Sequence, residues 1–261
     1  MKCHLRRTEP EGGSSRGNTP HAPQGAVLLG EAGYQNPNYL DTVLLSIART
    51  TSHGNVTGNP RLCAGCHLYA FTAVVGSDTI RPTGHLFRPI PCYGPDGVPT
   101  DTIIDCAYTA AARSFRACAV SGCHLDEDDA ANVVAVARTR MRTLSATLWI
   151  DLDGDRTIDA YPTDDGYLAH IKANTTDLNP SDAVITAADG AEFNVRLVGE
   201  DAAGFLYDNG DKSHAVHNVF IAEALLLASI EELSDLYGGQ PWFPAPPVPT
   251  ADATSRAASR R

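Results

Sequence analysis

Four of the seven cysteines stand in two strings that each end in histidine. Cys63-Ala64-Gly65-Cys66-His67 is a C-x-x-C-H, the spacing at which two thiols add across the two vinyl groups of one haem while the next imidazole lies under the iron. With seven Cys and nine His in 261 residues, about 0.006 such strings are expected by chance, so the match is specific. Cys118-Ala119-Val120-Ser121-Gly122-Cys123-His124 is a C-x4-C-H, a longer loop that still places His directly after the second Cys. Both strings predict covalent haem c, with His67 and His124 as proximal ligands.

Met1-Lys2-Cys3-His4 carries the second half of such a motif. Cys3 and His4 are read as a partial third site, on the expectation that Met1 is an internal residue of a longer chain. That chain would begin with a secretion signal, because haem c is attached outside the cytoplasm and residues 1–30 contain no apolar segment of the signal-peptide kind. A six-coordinate haem needs a second ligand opposite the first, and imidazole is the usual one. The distal candidates are His53 in Ser52-His53-Gly54, His85 in Gly84-His85-Leu86, and His217 in His214-Ala215-Val216-His217-Asn218, with His214 as the spare for His217. A lone His is more often a surface or capping residue than a ligand, so it is the two motifs that raise these candidates. Next to a ligand, Gly54 and Gly84 would let backbone approach a flat macrocycle. His21 and His170 rank last, and Met141, between Arg140 and Arg142, is a poor axial candidate.

Cys92 and Cys106 have no haem partner and flank a turn-rich segment, which predicts a disulfide in an oxidising compartment. Asp151, Asp153, Asp155 and Asp159 occupy positions 1, 3, 5 and 9 of a calcium-loop pattern, with Ile158 at position 8. Arg156 stands where that loop has glycine and Pro162 where it has glutamate, so Asp164 or Asp165 would have to fill the last role.

The elements that must position these groups are mostly helical. Residues 38–50 carry Leu40, Val43, Leu44 and Ile47 at helical spacing, just before His53. Residues 126–149 predict a long helix with Val133, Ala137, Met141, Leu144 and Leu148 on one stripe and four acids at its positive end. A further helix is expected from 217 or 218 to 237, closed by Gly238-Gly239, and a shorter one within 182–199. Residues 1–37 and 54–117 read as loop, and 238–261, with five prolines, as a disordered tail. The chain is 43% hydrophobic but only 7% aromatic, with 22 Gly and 17 Pro. This predicts a mainly α protein with a large irregular fraction, its core built around covalent haems. A net charge of −11 argues against nucleic acid, and no stretch is long and apolar enough to span a bilayer.

The two attachment motifs, Ser-His-Gly after a helix and His-x-x-His-Asn before a C-terminal helix together resemble the bacterial multihaem c-type cytochromes over residues 1–237. The resemblance implies thioethers at Cys63, Cys66, Cys118 and Cys123 and electron transfer between bis-His haems in a periplasmic or extracellular respiratory chain. Its partners would be other redox proteins, other haem domains or further copies of the chain. Some relatives are enzymes, such as nitrite reductases that use an open-site haem with a Lys ligand in C-x-x-C-K, whereas both complete motifs here end in His. An oxidoreductase subunit with one open haem is the alternative function. A zinc site of four thiolates is another, but it leaves the two motif histidines unexplained.

Overall fold

The last helix among the described residues, α7 (Val219–Tyr237), is the one around which the others gather. A computed structural model describes residues 6–14, 16–70, 72–80, 88–100, 102–103, 106–120, 122–179, 181–198 and 210–245. Along α7, Ile221, Ala222, Ala224, Leu225, Leu226, Ala228 and Leu233 are buried, on nearly all sides, and the helix packs against α2 (Thr42–Thr50), α4 (Glu127–Leu148) and α6 (Ala187–Val198). α6 is central in its own right: Phe193, Val195 and Leu197 are fully covered, and a Cβ at Gly190 would lie 2.2 Å from the Tyr34 ring. Two shorter helices, α1 (Gln24–Leu29) and α5 (Tyr167–Asn174), complete this body.

The cores divide unevenly. The larger one is made of side chains, including Met141, Leu148, Trp149, Tyr167, Phe193 and Leu225. A second, small cluster of Ile90, Phe115, Ala130, Ala131 and Val134 underlies the segment that carries the motifs. The expectation of an interior built around haem is therefore corrected for the main body, which is closed by its own residues. Residues between α2 and α4 form the single-turn helix α3 (Cys63–His67), the hairpin β1 (Ala73–Val75) with β2 (Asp78–Ile80), and the hairpin β3 (Cys92–Tyr93) with β4 (Pro99–Thr100). Cys92 and Cys106 are joined in the disulfide expected of them.

Several boundaries moved. The buried stripe of α4 runs through Ala130, Val134, Met141 and Leu148, while Val133 is exposed, because the phase is set by the C-terminal half, where α7 and α6 pack. Gly238 keeps a right-handed backbone at the end of α7. The chain then folds back, and Phe243 is buried 4.5 Å from the Tyr167 ring, so the ordered body extends past 237. Residues 246–261 lie outside those described.

Candidate functional site

The two motifs meet at the end of the molecule where α2 stops and α7 starts. Asp41 caps α2 by accepting from the amides of Val43 and Leu44, and the helix delivers the chain to Ser52-His53-Gly54. A Cβ at Gly54 would lie 2.2 Å from the Leu28 carbonyl oxygen. That glycine is required by close backbone packing of the loop on α1, so its role differs from the approach to a macrocycle expected of it. Asn59 donates to the carbonyls of His53 and Leu62, tying the His53 loop to the start of α3. The second motif is folded back on itself by the His124 amide, which donates to the Cys118 carbonyl.

Within this frame the histidines pair across the chain. The His67 ring lies 6.1 Å, centroid to centroid, from His217, and the His53 ring lies 6.4 Å from His124. Such distances fall in the range of ordinary ring contacts, so the significance lies in which rings are paired: each motif histidine faces one of the distal candidates. Two imidazoles on opposite sides of one metal hold their nitrogens about 2 Å from it, with ring centres about 1 Å behind, so their centroids are about 6 Å apart. Both centroid distances lie near that spacing.

The outer nitrogens are also engaged. His53 Nδ1 is 2.7 Å from the Val216 carbonyl oxygen, His217 Nδ1 is 2.6 Å from Asp211 Oδ1, and His124 Nδ1 is 3.5 Å from Asp129 Oδ2. A histidine whose Nδ1–H is held by an oxygen presents Nε2 as its coordinating atom. Burial pushes the His217 pKa down, but the charge and hydrogen bond of Asp211 outweigh it and leave it raised. The four motif thiols are unbridged and close enough to act on one another electrostatically. Burial, reinforced by Cys66 and Cys123, raises Cys118 to about 12, and Cys66 is raised by burial and by Cys123 and Cys63.

Other candidates lie elsewhere. His214 stands edge-on to Tyr108 at 4.8 Å, away from its proposed role as the spare for His217. Tyr108 is itself flanked by the guanidinium groups of Arg113 and Arg138, each 3.8 Å from its centroid. His170 stacks on Tyr161 at 4.4 Å and lies near Asp165. Cys3, His4 and His85 lie outside the described residues. Sequence reasoning missed Asp211, the Val216 carbonyl and the specific use of Asp129, which reads as one of four dipole-compensating acids. An acid six residues before a histidine is no local pattern, and a carbonyl has no sequence signature.

The acidic loop forms a second cluster. Carboxylate oxygens of Asp151, Asp153 and Asp164 lie within 4.8 Å of one another, as do those of Asp153, Asp155 and Asp159. Arg156 adopts φ 65°, the left-handed conformation that glycine supplies in calcium loops. Asp164 is fully buried and accepts from the Trp149 indole and the amides of Leu152 and Asp159, so it holds the loop together, while Asp165 turns to the Gly166 amide. Burial raises the Asp151 carboxyl; the amides of Gly154 and Arg156 oppose this, and the charges of Asp164 and Asp153 add to it. Among the described residues these acidic sets are the groups of three or more potential ligands that converge this closely, so the four thiols do not form the compact set that a zinc site needs.

No family model, curated protein or solved structure matches the chain. Among the described residues no helix is long and apolar enough to cross a membrane.

Proposed function

We propose that this chain is an electron-transfer protein that binds two c-type haems, one on Cys63, Cys66 and the His67–His217 pair, the other on Cys118, Cys123 and the His124–His53 pair. The observation that carries the reading is the cross-pairing of both motif histidines with distal histidines at the spacing one metal requires. Bound haem would supply a one-electron ferric/ferrous couple. The chain's own contribution is to hold the imidazoles of His53, His124 and His217 by their outer nitrogens, to supply the thiols, and to keep both sites within one folded unit. Each motif histidine has a facing ring, which favours transfer over the alternative of an open haem that reduces a small substrate. The Cys92–Cys106 disulfide supports a periplasmic or extracellular setting. The net charge of −11 favours a basic redox partner with salt-dependent encounter, whether a separate protein or another haem domain.

Expression with a haem-attachment system, followed by pyridine haemochrome assay and intact mass, tests this directly. Two covalent haems and a low-spin electron paramagnetic resonance (EPR) spectrum are expected. Colourless protein with alkylatable motif thiols overturns the reading, and a high-spin signal in the native protein favours the open-site alternative.

For the acidic loop we propose a structural calcium ion, supported by the two convergent carboxylate sets and the left-handed Arg156. Calcium should raise the melting temperature of the native protein, and Asp153→Asn, which removes an acid shared by both sets, should abolish the rise. Equal melting with calcium and with chelator would refute it.

A further inference from the structure

The two histidine pairs are held by unlike partners. His217 Nδ1 meets a carboxylate at 2.6 Å, and that carboxylate, on Asp211, is buried to 5% exposure. Its second oxygen accepts the Ser213 hydroxyl, and its backbone amide is fixed by the Leu197 carbonyl at 2.9 Å, at the end of α6. The Ser213 oxygen in turn accepts from the His217 amide at 3.1 Å. Asp211, Ser213 and His217 thus form a closed hydrogen-bonded set in which the carboxylate itself is buried. In the other pair His53 donates to the neutral Val216 carbonyl. His124 lies 3.5 Å from Asp129, whose side chain is 45% exposed and also accepts the Leu125 amide.

A carboxylate that accepts Nδ1–H loads the imidazole with negative charge and favours the more positive oxidation state of a metal on Nε2. The effect grows as the hydrogen bond shortens and as water is excluded. It is weak for an exposed acid at long range. We propose that Asp211 is a positioning and tuning residue that gives the His67–His217 site a lower reduction potential than the His53–His124 site. This rests on the haem reading above.

Spectroelectrochemical titration of the two-haem protein is the test, with waves assigned through His53→Ala, which alters the EPR signal of one site. Two one-electron waves are expected. Asp211→Asn should raise the lower wave and leave the upper in place, with both haems still covalent and low-spin. Ser213→Ala should lower that same wave, because the carboxylate loses a competing donor; this variant keeps the test open if Asp211→Asn fails to fold. Asp129→Asn should move the upper wave, and by less. Coincident waves in the native protein, an Asp211→Asn shift confined to the upper wave or absent, or a Ser213→Ala shift upward or of zero would each overturn the proposal. A preparation without covalent haem fails earlier, at the mass measurement, and refutes the haem reading instead.

Discussion

His53 and His217 should be separable by what their loss leaves behind. On the proposed reading His217→Ala and His53→Ala each expose one iron and spare the other, so each variant should convert about half of the low-spin EPR intensity to high-spin while keeping two covalent haems. A different residue reports on protonation. Glu232 is buried, and although Asn36 donates to it at 2.6 Å, burial holds its pKa above the ordinary value against the lowering by Asn36 and Tyr34. The folded state therefore binds this proton more tightly than the unfolded chain. Its contribution to stability is complete below the ordinary Glu range and is lost as pH rises through the higher folded value. Glu232→Gln should flatten that part of the melting temperature against pH curve, and an unchanged slope would contradict the assignment. The thiols and motif histidines were legible in the sequence because covalent chemistry fixes their spacing. His53 and His217 were legible only as candidates, and their pairing was not, since nothing local records which ring faces which.

At the scale of elements, the site depends on how α7 begins. Asn218 is 1% exposed, accepts the Ile221 amide as N-cap, and donates to the Leu28 and Ala48 carbonyls at 3.3 and 2.8 Å. Asn218→Ala removes a cap and strands two buried acceptors, at a cost of about 2–4 kcal/mol. Denaturant unfolding measures that loss, and the same variant should loosen His53 and His217 together. α4 and α7 could be read from their length, periodicity and polar N-caps. α1 and α5 could not. They have six and eight residues, start after Pro23 and Gly166, and have no side-chain cap hydrogen bond, so packing against longer helices decides their form. The misplaced Val133 has the same origin, because a helix with a mixed surface takes its phase from its neighbours.

For the whole molecule, the low aromatic content suggested an interior in need of a cofactor, yet α2, α4, α6 and α7 close most of it with aliphatic side chains and alanine. Close helix approach through small residues fills the space around the few buried rings of Trp149, Tyr167 and Phe193, and composition alone does not distinguish this from a core closed by a cofactor. A variant with Cys63, Cys66, Cys118 and Cys123 all changed to Ser should consequently keep most of its helical circular dichroism. Its protease sensitivity should rise only between α2 and α4, where the second cluster is small. Global loss of helix would show that the main body needs the prosthetic groups after all.

The contact between His53 and Val216 joins residues 163 positions apart, and it has a consequence for biogenesis. Both motifs leave the ribosome long before the segment that bears His217 and the carbonyl orienting His53. On the proposed reading, chains whose thiols have already reacted would carry incompletely ligated iron until α7 and the segment before it dock. The interval before that docking is then the one in which the protein is most vulnerable to stray oxidants and foreign ligands.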